Sequence, residues 1–126
     1  MNESIASSVM AGACVTPPET DGNGRVRAVL RFPPGFPAFA GHFPGNPVLP
    51  AVAQLAAVRQ VAGAHLGHPL VPVGVERAKF MTVIGPDEET VFLLRIIENG
   101  DRIAISFTIT TGGGKAATGD LVCRPA

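Results

Sequence analysis

Residues 41 to 58 read GHFPGNPVLPAVAQLAAV, and they hold the residues of this chain best suited to chemistry. His42 stands in a stretch pinned by Pro44, Pro47 and Pro50, and a run of small apolar residues follows at once. An imidazole with a pKa of ~6.5 is mostly neutral at pH 7 and can accept a proton. Proline fixes the backbone around it and so holds the ring against whatever binds there. The apolar run predicts a helix, and the first turn of a helix offers unpaired N–H groups at the positive end of its dipole, which favour a developing oxyanion. The competing reading of His42 is a satisfied structural histidine; the proline frame favours function. His65 and His68 lie near Gly63 and Gly67, where the helix should end, and read as capping and dipole partners.

The predicted helix runs from Leu49 to Ala64, with Pro50 in its first turn and only Arg59 and Gln60 as clear polar interruptions, so it should be buried nearly all round. The remaining chain alternates with period two. Val26, Ala28, Leu30 and Phe32 share one face against Arg25, Arg27 and Arg31, and Ile103, Ile105, Phe107 and Ile109 alternate with Ala104, Ser106, Thr108 and Thr110. Strands are expected near 9–16, 25–32, 70–84, 90–98, 102–111 and 116–123. The turns between them fall at Asp21-Gly22-Asn23-Gly24, Asn99-Gly100 and Gly112-Gly113-Gly114. Pro72 confines the start of its strand to an edge. One buried helix with five or six antiparallel strands implies an α+β domain in which a sheet curls around the helix, and all 126 residues fit one domain.

Composition excludes several function classes. Ten basic and ten acidic residues give no net charge and no basic cluster for phosphates, so nucleic acid is not an expected partner. The chain is 46% hydrophobic and only 16% charged, which points to apolar surface held in an interface between chains. Cys14 and Cys123 have no ligand-like spacing, so neither a metal site nor a disulfide framework is expected, and both read as free thiols in a reducing cytoplasm. Glu3 stands where a secretory signal carries positive charge, and no stretch approaches eighteen consecutive apolar residues, so neither a signal peptide nor a membrane span is expected.

The segment GHFPGNPVLP followed by a helix resembles the active-site segment of the β-hydroxyacyl-acyl-carrier-protein dehydratases, enzymes of the hot dog fold. That family reads His-Phe-Pro-Gly-x-Pro-Val-hydrophobic-Pro-Gly, and this chain matches nine of the ten positions, departing at Ala51. Ala78-Lys79-Phe80 and Gly85-Pro86-Asp87 look like the family's later strand and its Pro-Gly-Asp turn with Gly and Pro exchanged, and the pair Gln54-Leu55 resembles dehydratases of the aryl polyene type. The resemblance implies a dimer whose two sheets join edge to edge, a strained His42-Phe43 peptide that can be cis, and an acyl group delivered on the phosphopantetheine of acyl carrier protein or on CoA, with no further cofactor.

Removing water from a 3-hydroxyacyl thioester needs a base for the C2 proton, donors for the enolate oxygen and an acid for the departing hydroxyl. The resemblance gives the first role to His42 and the second to the Ala51 N–H with another N–H near Gly45 or Phe43. The third is missing. The family carries Glu or Asp fourteen residues after the histidine, and here that position is Ala56. Gln60, one turn on, can orient a water but not donate a proton as an acid does; Asp87, Glu76 and Asp101 are the candidates for a relocated carboxylate. Arg77 and Lys79 share a strand and suit either a solvated face or an acidic carrier. Two classes therefore remain open: a 3-hydroxyacyl thioester dehydratase whose acid is lost or relocated, and a non-catalytic acyl-thioester binding subunit, as a homodimer, a higher oligomer or a heterodimer with an active relative. A hot dog thioesterase is the weaker third.

Overall fold

The alternation of apolar and polar residues becomes a six-stranded, wholly antiparallel sheet. In the computed structural model, which describes residues 13–39 and 47–126 and omits the side chains of Cys14 and Val15, the elements are β1 (Cys14–Thr20), β2 (Val26–Arg31), α1 (Ala51–Leu66), β3 (Leu70–Phe80), β4 (Glu89–Asn99), β5 (Arg102–Thr111) and β6 (Gly114–Pro125), with a single 3-10 turn at Pro37–Phe39. The strand order is β1-β2-β4-β5-β6-β3. Chain order and sheet order part company once. After β2 the chain crosses the sheet as α1, which packs on β1, β2, β3, β4 and β6, and β3 then forms the far edge.

The turns form where their chemistry predicts. The Asp21 carboxylate accepts the Asn23 and Arg25 N–H groups at 2.8 and 3.0 Å and pairs with the Arg25 guanidinium. Those two amides, Arg25 first, hold its carboxyl below the ordinary 3.8. Gly24, Gly100 and Gly114 each take positive φ at a hairpin. The first strand lies four to five residues later than expected and contains Pro17-Pro18. Proline forfeits a ladder bond only where one would form, and β1 is an edge strand whose register shifts between Cys14 and Thr16 and again before Glu19. Pro72 obeys the same rule on β3, the other edge. That strand stops at Phe80 rather than 84, and the N–H groups of Met81 and Thr82 both turn to the Ala116 carbonyl.

Helix α1 also differs from expectation. It starts at Ala51 with Pro50 as an extended N-cap (φ −71°, ψ 159°) and ends at Leu66, capped by Gly67 at φ +85° with its N–H on the Gly63 carbonyl. Only the stripe Gln54, Ala57, Val58, Val61 and Ala62 is buried, while Val52 is 76% exposed. The all-round apolar pattern is therefore not consumed by the chain's own sheet.

Against that stripe the concave face of the sheet presents Val26, Ala28, Leu30, Phe92, Leu94, Ile105, Phe107, Ile109 and Leu121, all buried. Along its cross-strand rows the larger side chains sit in the middle and the smaller ones at the ends: Ala28, Phe92, Ile109 and Ala117 in one, Val26, Leu94, Phe107 and Gly119 in the next. Gly119 is required by close approach. A Cβ there would stand 2.9 Å from the Phe107 ring and 3.0 Å from the Ala78 backbone, which a bulge at Arg77 (φ +52°) brings inward. Gly119→Ala should therefore lower stability to urea by about 1–3 kcal/mol, and adding Phe107→Leu should recover part of that loss. An unchanged midpoint for Gly119→Ala would contradict this packing.

Candidate active site

Four backbone hydrogen bonds set the start of α1. The Leu49 N–H donates to the Ile84 carbonyl at 2.7 Å, the Asp87 N–H donates to the Phe32 carbonyl at 2.7 Å, and the Ala53 and Gln54 N–H groups both fold back onto the Pro50 carbonyl. The segment between, Gly85-Pro86-Asp87, closes on itself: the Glu88 carboxylate accepts the Gly85 N–H at 2.7 Å, and Asp87 takes φ +62° in the place where glycine usually sits. Glu88 is thus a turn cap rather than a merely polar surface residue.

Among the described residues no side chain caps the N-terminus of α1. The N–H groups of Ala51 and Val52 precede the first intrahelical bond and have no intrahelical acceptor, so they can donate to a substrate oxygen at the positive end of a sixteen-residue dipole. Ala51 is half-buried. Ala56 and Gln60, also half-buried, stand one turn apart on a flank of α1 beside its buried stripe. His42, Phe43 and Gly45, and with them the His42-Phe43 peptide, lie outside the described residues.

The structure separates the three candidates for a relocated acid. Asp101 is exposed in the turn between β4 and β5, and Glu76 is exposed on β3 opposite Asp120. Asp87 is exposed in the turn that positions Leu49, which makes it the one of the three attached to the helix start. Arg77 and Lys79 border a shallow depression of about 510 Å³ floored by Phe107 and Gly119. Arg77 is already paired there: the Asp120 carboxylate accepts from its guanidinium at 2.7 Å and from the Ser106 hydroxyl at 2.7 Å. The Ser106 bond and then Arg77 hold the Asp120 carboxyl below its ordinary value against partial burial. Cys123 is a free, fully buried thiol whose pKa is pushed up by that burial. Among the described residues no cluster of His, Cys, Asp and Glu could hold a metal ion, and no helix is long and apolar enough to cross a membrane.

Sequence reasoning passed over Gln54, which it used only as a resemblance mark. It is 3% exposed on the buried stripe of α1. Its Nε2 donates to the Leu49 carbonyl at 3.1 Å, and no donor among the described residues reaches its Oε1. The available signal was a polar residue at an inward helical position.

Comparison with known proteins gives the family and the fold. A family model described as ApeI dehydratase, ApeI-like, matches residues 18–120. The chain is 37% identical over 91 residues to the 3-hydroxyacyl-acyl-carrier-protein dehydratase FabZ of Latilactobacillus sakei, covering 66% of this chain and 65% of that one, and 32% identical over 120 residues to the FabZ of Verminephrobacter eiseniae, covering 82% and 72%. Among solved structures, the dehydratase heterocomplex ApeI:P of Xenorhabdus doucetiae superposes with a TM-score of 0.70 at 23% identity, over 88% of this chain and 96% of that one, which establishes the hot dog fold. With its one helix laid across a curled antiparallel sheet and a family match spanning most of its length, the chain belongs to the ApeI-like dehydratases.

Proposed function

We propose that this chain binds 3-hydroxyacyl thioesters and retains half of a dehydratase's machinery. The observation that carries the reading is the helix start: α1 begins directly after the HFPGNPVLP segment, with first-turn amides that no side chain among the described residues caps. The Ala51 N–H, with one from the loop near Gly45 or Phe43, takes the thioester oxygen. Neutral His42 then removes the C2 proton, and the enolate charge falls on that oxygen. Departure of the C3 hydroxyl needs a proton, and Ala56 cannot give one. The proton His42 has just taken is the one at hand, and a water held by Gln60 carries it from the imidazolium to the leaving oxygen, so the products are the enoyl thioester and water. The acyl group arrives on the phosphopantetheine of acyl carrier protein or on CoA, in the cytoplasm, and no other cofactor takes part.

Absence of a positioned acid costs ~10²- to 10⁴-fold in rate. Hydration of a crotonyl thioester by the wild-type chain should therefore be slow, His42→Ala should abolish it, and Ala56→Glu should raise it at least about 10-fold, since the site needs only the missing proton donor. Inert wild type and inert Ala56→Glu, both folded, would favour the second reading, a binding subunit that pairs with an acid-bearing relative. Ala56 itself supports that reading. If the acid and the histidine of one site come from two subunits, as the family resemblance implies, a homodimer of this chain has no helix carboxylate in either site, and a heterodimer has one.

A second chain is part of either reading. Val73, Val75, Phe80, Met81 and Val83 are exposed along and just beyond β3, an edge strand with free backbone groups. Edge-to-edge pairing through β3 would cover them. Light scattering at micromolar concentration should give the mass of a dimer; a monomer would contradict it.

A further inference from the structure

We propose that Gln54 reads the 3-hydroxyl of the bound acyl group, an inference that rests on the thioester-binding reading above. An amide on the buried stripe of α1 is costly where leucine or methionine would fill the same space, and it is tolerated when its polar atoms find partners. Half of this one has. Nε2 is fixed on the Leu49 carbonyl, which accepts only from an N–H, so the other head atom must be the carbonyl oxygen Oε1. That oxygen is buried, and no donor among the described residues reaches it.

Its position follows from the bond that Nε2 makes. The side chain reaches back five residues to Leu49, so both head atoms lie at the N-terminal end of the helix. Two complementary needs meet there. The Ala51 and Val52 amides have no intrahelical acceptor, and Oε1 has no donor among the described residues. A 3-hydroxyacyl thioester carries an acceptor at its C1 carbonyl and a donor at its C3 hydroxyl, and it satisfies both at once. A saturated or enoyl chain satisfies the amides and leaves Oε1 buried and unpaired, which is the situation in which sites discriminate best against a ligand lacking a hydroxyl. Gln54 supplies no proton, because an amide is not an acid. It positions the hydroxyl and selects for it.

The test is calorimetric binding of 3-hydroxybutyryl-pantetheine and butyryl-pantetheine to the whole chain on a His42→Ala background, where neither ligand turns over. With Gln54 in place the hydroxylated ligand should bind roughly 5- to 10-fold tighter, the worth of one hydrogen bond to a buried neutral acceptor. Gln54→Met should erase that ratio while leaving butyryl affinity within about 2-fold, and Gln54→Leu should do the same if methionine disturbs the packing. Thermal melting of both variants without ligand reports the packing separately, since removing the unsatisfied oxygen raises stability while losing the Nε2 bond to the Leu49 carbonyl lowers it, and the ligand ratio in folded protein decides the proposal. A ratio near one in the parent, a ratio that survives both substitutions, or equal weakening of both ligands would overturn the proposal and leave Gln54 as a clamp on Leu49. If neither ligand binds the parent at millimolar concentration, the thioester reading itself fails, and this inference with it.

Discussion

Leu49 is held by both of its backbone groups. Its N–H is tied to Ile84 in the segment after β3, its carbonyl to the Gln54 side chain in the first turn of α1, and its own side chain is buried in the core. Each bond is worth only about 1 kcal/mol net, but leaving either group buried and unpaired would cost more than that. The direction of the chain into the helix is consequently narrowly determined. Because Asp87 in the same turn is bonded to Phe32, the helix start is registered to the end of β2 by backbone alone. The amides meant for a substrate oxygen inherit that position, and substitutions on the helix surface need not disturb it.

From this junction three positions of α1 diverge. The head of Gln54 is buried at the N-terminal end of the helix beside Leu49, while Ala56 and Gln60 share a half-buried flank next to the buried stripe. The apolar residues left exposed on Val52 and along β3 lie outside the packed interior. The helix is apolar over more of its surface than its own sheet buries, which is what the proposed pairing with a second chain would use.

Much of this was legible in the residues. Period-two runs fixed β2 and β5 within a residue or two, and Asn99-Gly100 and Asp21-Gly-Asn-Gly marked hairpins because positive φ and side-chain-to-backbone bonds are local properties. The displaced β1 was not legible, since Pro17-Pro18 argues against a strand unless one already knows that it lies at an edge. The premature end of β3 and the bulge at Arg77 depend on which strand pairs beside them, which is a tertiary fact. For the site, the motif around His42 and the alanine at position 56 were visible as spacing, whereas Gln54 was hidden: its meaning comes from what does and does not reach its two head atoms, and spacing carries no such information.

The central claim is that this family member keeps the enolising half of its chemistry, a histidine base with helix amides, and lacks the half that protonates the leaving hydroxyl. Hydrogen–deuterium exchange at C2 of a butyryl thioester in deuterium oxide isolates the first half, because no hydroxyl has to leave. Measured beside dehydration of the 3-hydroxybutyryl thioester by the same preparation, exchange should be the faster reaction and should disappear with His42→Ala. Dehydration that keeps pace with exchange would mean that an efficient acid is present after all, and exchange absent from a folded protein that binds the thioester would mean that the base is not.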